Sequence, residues 1–126
     1  MAKQIFRDGT EVVSFYARTV RNGSFVFVSG TTSLDMRGRV QGKNVAEQTV
    51  VTMRKIEATL KSAGASLKDL VRLTIFVTDI RDMGAISKAL GKVLRNNTVS
   101  ATMVGVSALA VPGLMIEIEA TAMIDD

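Results

Sequence analysis

Only two stretches of this 126-residue chain carry a helical period, and that small number limits what the rest can build. One runs from about Val45 to Ala63, where Ala46, Thr49, Met53, Ile56, Leu60 and Ala63 fall on one stripe and Glu47, Arg54 and Lys61 repeat on the opposite side. Asn44 stands before it as a cap and Gly64 after it as a stop. The second has a core stripe of Met83, Ile86, Leu90, Val93 and Leu94, an outer face of Lys88, Lys92 and Arg95, and candidate caps in Asp79 and Asp82. The remaining periodic segments read as strands: Val12 to Val20, Ser24 to Ser29, Leu70 to Val77, Ser100 to Val106 and Leu114 to Ile124. Arg21, Asn22 and Gly23 supply the turn between the first two. The order is ββαβαββ. Two helices separated by one strand cannot cover both faces of an open sheet, so they are expected side by side on one face, with the other face left for a partner.

The strands agree with a sheet covered on both sides. Phe25 and Phe27 alternate with Val26 and Val28, which places apolar residues on both faces and argues for a central strand. In the fourth segment Val71, Leu73, Ile75 and Val77 face one way, and Arg72, Thr74, Phe76 and Thr78 the other. With 47% hydrophobic residues and one proline, the chain carries more apolar surface than a small monomer hides. No linker, repeat or low-complexity tract divides residues 1–126, so a single domain is expected. Self-association that closes several sheets around a shared interior would cover the open face, and clefts between subunits are natural ligand sites.

Composition removes several chemistries. Without histidine or cysteine there is no Ser-His-Asp or Cys-His nucleophile pair, no ordinary zinc site and no thiol redox couple, so no metal is expected. Neither a GxxxxGK[ST] loop nor a GxGxxG occurs, and Gly38 and Gly42 read as plain turns. The net charge of +4 and a pI near 9.8 come from scattered lysines and arginines. With one tyrosine and no tryptophan there is no stacking platform, which argues against nucleic acid as a partner. The opening residues, MAKQIFRDGT, hold no apolar leader core, and no run approaches the length of a membrane span. A cytoplasmic protein without membrane contact is expected.

The closing segment carries the chemistry that remains. Alternation sends Leu114, Ile116, Ile118 and Ala120 one way and Met115, Glu117, Glu119 and Thr121 the other, so two carboxylates share a face of an otherwise apolar strand. Two readings stand: a solvated strand face, or a pocket wall where burial raises a carboxyl pKa and makes it a proton donor or acceptor. Tyr16, Arg18, Ser29, Thr31 and Thr102 are the other polar candidates at or near strand ends. Turn and hydrogen-bonding duties explain Ser29 and Thr102 equally well.

Three segments, YARTVRNGSFVFVSG at Tyr16 to Gly30, LVRLTIFVTDI at Leu70 to Ile80 and VPGLMIEIEA at Val111 to Ala120, resemble the RidA family, also called YjgF or L-PSP. The similarity spans almost the whole chain. It implies an α+β, chorismate-mutase-like fold of the bacillus type, assembled as a homotrimeric barrel with ligand clefts between subunits. It also implies cofactor-free deaminases that hydrolyse 2-enamine and 2-imine intermediates to 2-keto acids and ammonia. Tyr16, Ser29, Gly30 and Glu119 match the family's pocket tyrosine, serine, glycine and water-positioning glutamate. Ser87 and Leu90 stand where archetypal members carry asparagine and tyrosine, and Thr31 where they carry glutamine. The arginine that grips the substrate carboxylate on the penultimate strand aligns with Thr102, which bears no charge.

The resemblance therefore assigns Glu119 and Tyr16 to catalysis, and Ser29, Gly30, Thr31, Ser87 and Thr102 to a remade pocket for a small organic acid, to which strand-face spacing adds Arg18. Arg18, two residues from Tyr16 on one strand face, is the expected source of the missing positive charge, with a solvated rim position as its alternative. A non-catalytic trimer that binds a small metabolite or a protein partner stays open. So does the ribonuclease activity attributed to some members.

Overall fold

The computed structural model describes residues 2–125, in which one six-stranded sheet carries two α-helices. The strands are β1 (Gln4–Phe6), β2 (Thr19–Asn22), β3 (Phe25–Thr31), β4 (Leu70–Val77), β5 (Ser100–Gly105) and β6 (Ile116–Met123). The helices are α1 (Val45–Ser62) and α2 (Met83–Leu94). Spatial order is β1-β2-β3-β6-β4-β5, so the closing strand sits in the middle of the sheet, antiparallel to both β3 and β4. A parallel strand needs a crossover, and α2 provides it between β4 and β5.

One apolar core forms where the helices meet the sheet. Val26 and Val28 of β3, Leu73, Ile75 and Val77 of β4, and Ile116, Ile118, Ala120 and Ala122 of β6 pack under Met53, Ile56 and Leu60 of α1 and Ile86, Leu90 and Val93 of α2. Thr19 and Thr59 satisfy one another inside it, with hydroxyl oxygens 2.7 Å apart. Asn44 caps α1 as expected, its side-chain oxygen accepting from the Glu47 amide at 2.9 Å while the Glu47 carboxylate accepts from the Lys43 amide.

Several boundaries differ from the sequence expectation, each for a local reason. The strand expected from Val12 starts only at Thr19; the Arg18 amide just before it donates to the Glu11 carboxylate, which also accepts from Asp8 and Gly9 upstream of the segment. The hairpin turn is Gly23-Ser24, with Asn22 pairing Phe25 and Gly23 at φ +62°. An additional short strand, β1, pairs with β2. Val71 is exposed because a register shift at Leu70–Arg72 breaks alternation. On α2 the buried stripe runs through Ala89, while Met83 is 47% exposed at the helix start. Asp79 caps the short 3₁₀ turn before α2, and Asp82 precedes α2 without a side-chain cap bond.

Both helices lie on one face, as their number requires. The opposite face is open in the single chain: Phe25 and Phe27 stack with ring centroids 6.0 Å apart and remain 45% and 47% exposed. Val12 and Phe15, on the loop before β2, are exposed as well. Among the described residues no helix is long and apolar enough to cross a membrane.

Candidate functional site

The site begins with an irregularity in β3. Val28 pairs with Ala120 and Thr31 with Ile118, so Ser29 and Gly30 together face the single residue Glu119. Such a bulge bends its strand and re-aims the chain. Ser29 fastens the bend to the segment before β2, its amide donating to Arg18 O at 2.9 Å and its hydroxyl to Ala17 O at 2.7 Å. Gly30 presents a bare backbone, and the Glu117 carboxylate occupies the space a Cβ would fill.

Arg18 ties this bend to the preceding loop. Its Nη1 donates to Gly30 O at 2.6 Å and to Thr31 Oγ1 at 3.3 Å, its Nη2 donates to Thr10 Oγ1 at 2.8 Å, and its Nε lies 3.3 Å from Asp8 Oδ2. Three hydrogen bonds thus occupy three of the five N–H directions on a side chain 4% exposed, while Nε, buried without a hydrogen-bond partner, is balanced by the Asp8 charge alone. Thr31, wholly buried, donates to Ser29 O. Burial alone pushes the Asp8 carboxyl up, but hydrogen bonds from Thr10 and the Arg18 charge outweigh it and hold Asp8 below the usual range. The rim alternative for Arg18 is excluded by this burial.

Around Arg18 lies a cavity of about 270 Å³, walled by Tyr16, Arg18, Gly30, Lys55, Leu114 and Glu117 among others. The Arg18 guanidinium carbon sits 5.8 Å from the centroid of the Tyr16 ring. Burial raises the Glu117 carboxyl above its ordinary value, with the Arg18 charge working against that and Glu119 adding to it. Lys55 reaches in from α1, its Nζ donating to Thr32 O and Leu34 O at 2.8 Å each. Burial, then the neighbouring Arg18 charge, pushes the Lys55 ammonium down, against the pull of Asp8, Asp35 and Glu11.

Of the residues singled out in the sequence, Tyr16, Arg18 and Gly30 wall this cavity, and Ser29 and Thr31 brace it from behind. The glutamate expected there was Glu119; Glu117 occupies the wall, and Glu119 lies exposed opposite Thr74 in mid-sheet. The two share a face, but it is the Glu117 carboxylate that lies against Gly30, and the alternation pattern does not separate them. Thr102 is exposed on edge strand β5, accepting from Arg72 Nη2 at 3.1 Å. Ser87 is exposed on α2, and neither residue borders the cavity of its own chain. Lys55 was missed because its spacing on α1 reads as an ordinary polar flank; its half-burial is visible only in three dimensions. Among the described residues no group of three or more Asp or Glu side chains gathers to hold a metal.

Comparison with known proteins shows which family the chain belongs to. The family profile described as Endoribonuclease L-PSP matches residues 8–124. A RutC family protein of Pyrococcus abyssi is 29% identical over 125 residues, covering 97% of this chain and 98% of its own. The rat protein named 2-iminobutanoate/2-iminopropanoate deaminase is 28% identical over 112 residues, covering 88% of this chain and 81% of its own. The crystal structure of a YjgF/YER057c/UK114 family member from Mycobacterium tuberculosis superposes with a TM-score of 0.88 at 36% identity, covering 98% of this chain and 100% of that one. The chain belongs to the RidA/YjgF/L-PSP family.

Proposed function

We propose that this protein hydrolyses small 2-imino or 2-enamino acids to 2-oxo acids and ammonia in the cavity walled by Tyr16, Gly30 and Glu117. The observation that carries the reading is the Glu117 carboxyl, seated over Gly30 with its pKa raised by burial and lining a small cavity. A general acid-base group works best when its pKa moves toward the working pH. Glu117 takes a proton from a water that attacks the imine carbon, forming a carbinolamine. Glu117 returns that proton to nitrogen, the carbinolamine hydroxyl proton follows to nitrogen through the same carboxylate, the C–N bond breaks, and ammonia leaves as the carbonyl forms. Tyr16 orients the substrate, and Arg18 holds Gly30 and its neighbours in place while its charge keeps Glu117 able to ionise. The activity in the rat relative's name supports the same chemistry.

The assembly belongs to this proposal. A homotrimer would cover the open sheet face around Phe25 and Phe27 and would bring Thr102, on an edge strand, toward the cavity of a neighbouring subunit. A second reading, a trimer that binds a small metabolite without turning it over, is favoured by Thr102, which offers no charge where the resemblance calls for an arginine. The test generates several 2-imino acids in situ with an amino-acid oxidase and traps the surviving imine with semicarbazide. The wild type lowers the trapped fraction, and Glu117→Gln loses about 100- to 10,000-fold of that rate. No loss of imine across small and bulky substrates overturns catalysis and leaves the binding trimer.

A further inference from the structure

A cation taken out of water is stable only where something neutralises or solvates it. Arg18 meets that condition through its ion pair with Asp8 and its hydrogen bonds to Thr10, Thr31 and Gly30 O; its Nε, though without a hydrogen-bond partner, lies 3.3 Å from the Asp8 carboxylate. Lys55 does not meet it in full. Its Nζ is held by two backbone carbonyls, which are neutral, and these use two of its three hydrogens. Among the described residues no ion pair within 4 Å engages it. The nearby carboxylates are committed elsewhere, Asp8 to Arg18 and Thr10, Asp35 to Arg39 and Gln41, and Glu11 to three backbone amides. The remaining Lys55 hydrogen belongs to a fixed, partly buried ammonium that walls the cavity.

We infer that Lys55 anchors the carboxylate of the cavity's ligand, supplying from within the chain the positive charge that Thr102 lacks. The inference rests on the proposed ligand class, a small 2-imino or 2-oxo acid. The carbonyls of Thr32 and Leu34 hold the ammonium in one place, so a carboxylate binds without a long side chain having to be ordered first. With Arg18 already paired to Asp8, an anion there complements the charge that Lys55 brings to the cavity. Lys55 is a binding residue in this scheme, and Glu117 keeps the proton transfer.

The test uses the chain's own reporter. Tyr16 is the only tyrosine, there is no tryptophan, and Tyr16 walls the cavity, so intrinsic fluorescence reads occupancy. Binding of 2-oxobutanoate is compared with that of its uncharged amide for the wild type, Lys55→Met and Lys55→Arg. The wild type prefers the acid by about tenfold to a hundredfold, as a charge-assisted hydrogen bond predicts. Lys55→Met brings that preference to within about twofold, and Lys55→Arg retains most of it. The comparison is between two ligands of similar shape on one protein, so a general loosening of the loop in Lys55→Met does not imitate the result. Should Lys55→Met fail to fold, the wild type and Lys55→Arg still decide, because a wild type that binds both compounds equally, or neither, overturns the anchor. Retained acid preference in a folded Lys55→Met overturns it too. The imine-trapping assay keeps the two readings apart. Acid preference that depends on Lys55 without imine hydrolysis upholds the anchor and removes the catalysis, whereas hydrolysis with an unchanged KM in Lys55→Met does the reverse.

Discussion

The two faces of β6 are built from the same eight residues and obey different rules. On the covered face Ile116, Ile118, Ala120 and Ala122 are buried against the helices. On the other, Glu117 is partly buried and Glu119 is exposed, although alternation makes them equivalent. The covered face is settled by the chain itself, because apolar area removed from water dominates its energetics. The chemistry of the open face depends on which residue of a neighbouring strand happens to stand opposite. Ile118→Ala therefore separates the faces most widely. It removes packing from a fully buried site and lowers unfolding free energy by about 2–5 kcal/mol in a denaturant titration, while Thr121→Ala on the open face stays within about 0.5 kcal/mol. Equal effects at the two positions would break the comparison.

The next largest effect lies at the bulge, where the open face acquires its chemistry. A methyl group at Gly30 claims the volume that the Glu117 carboxylate occupies, so Gly30→Ala forces Glu117 to turn away. Under the proposed mechanism, imine hydrolysis falls about tenfold to a hundredfold from misplacement alone. Thermal stability changes much less, because the carboxylate moves toward solvent. Unchanged activity in a folded Gly30→Ala would detach Glu117's position from the chemistry.

What was legible in the sequence follows the same division. The helices, β4 and the side-by-side packing of α1 and α2 come directly from apolar periodicity, and Asn44 caps α1 as its side chain predicts. The segment from Val12 to Arg18 reads as a strand because its apolar residues are spaced like one. Glu11 takes the Arg18 amide at its end, and Val12 and Phe15 are left in solvent. A side chain that captures backbone donors leaves no mark on hydropathy. The position of Glu117 was illegible for a related reason: the one-residue excess of β3 over β6 at Ser29 and Gly30 is a property of pairing, and pairing partners are far apart in sequence. Arg18 was legible as a charge near Tyr16 but not as a buried strut, since its role is set by Asp8, Thr10 and Gly30 O together.

The finest test compares the two glutamates directly, through proton linkage. Burial raises the native pKa of Glu117 above its ordinary value near 4.5, so the folded protein holds that proton more tightly than the unfolded chain does. Well below the ordinary value both states are protonated and the site carries no ionisation penalty. As pH rises through it the unfolded chain ionises first, the folded state loses ground, and the loss is complete once the native carboxyl has ionised too. Glu117→Gln keeps the shape and removes the ionisation. At neutral pH it is therefore more stable than the wild type, by under about 1 kcal/mol because the site is only half-buried and solvent screens it. That gain disappears as pH falls below the ordinary carboxyl range. Glu119→Gln, on the same face but in solvent, stays within about 0.5 kcal/mol of the wild type at neutral pH. Chemical denaturation of the three proteins at a series of pH values checks this. A Glu117→Gln difference that persists unchanged into acid would trace its origin to packing and remove burial of the ionised carboxylate as its cause.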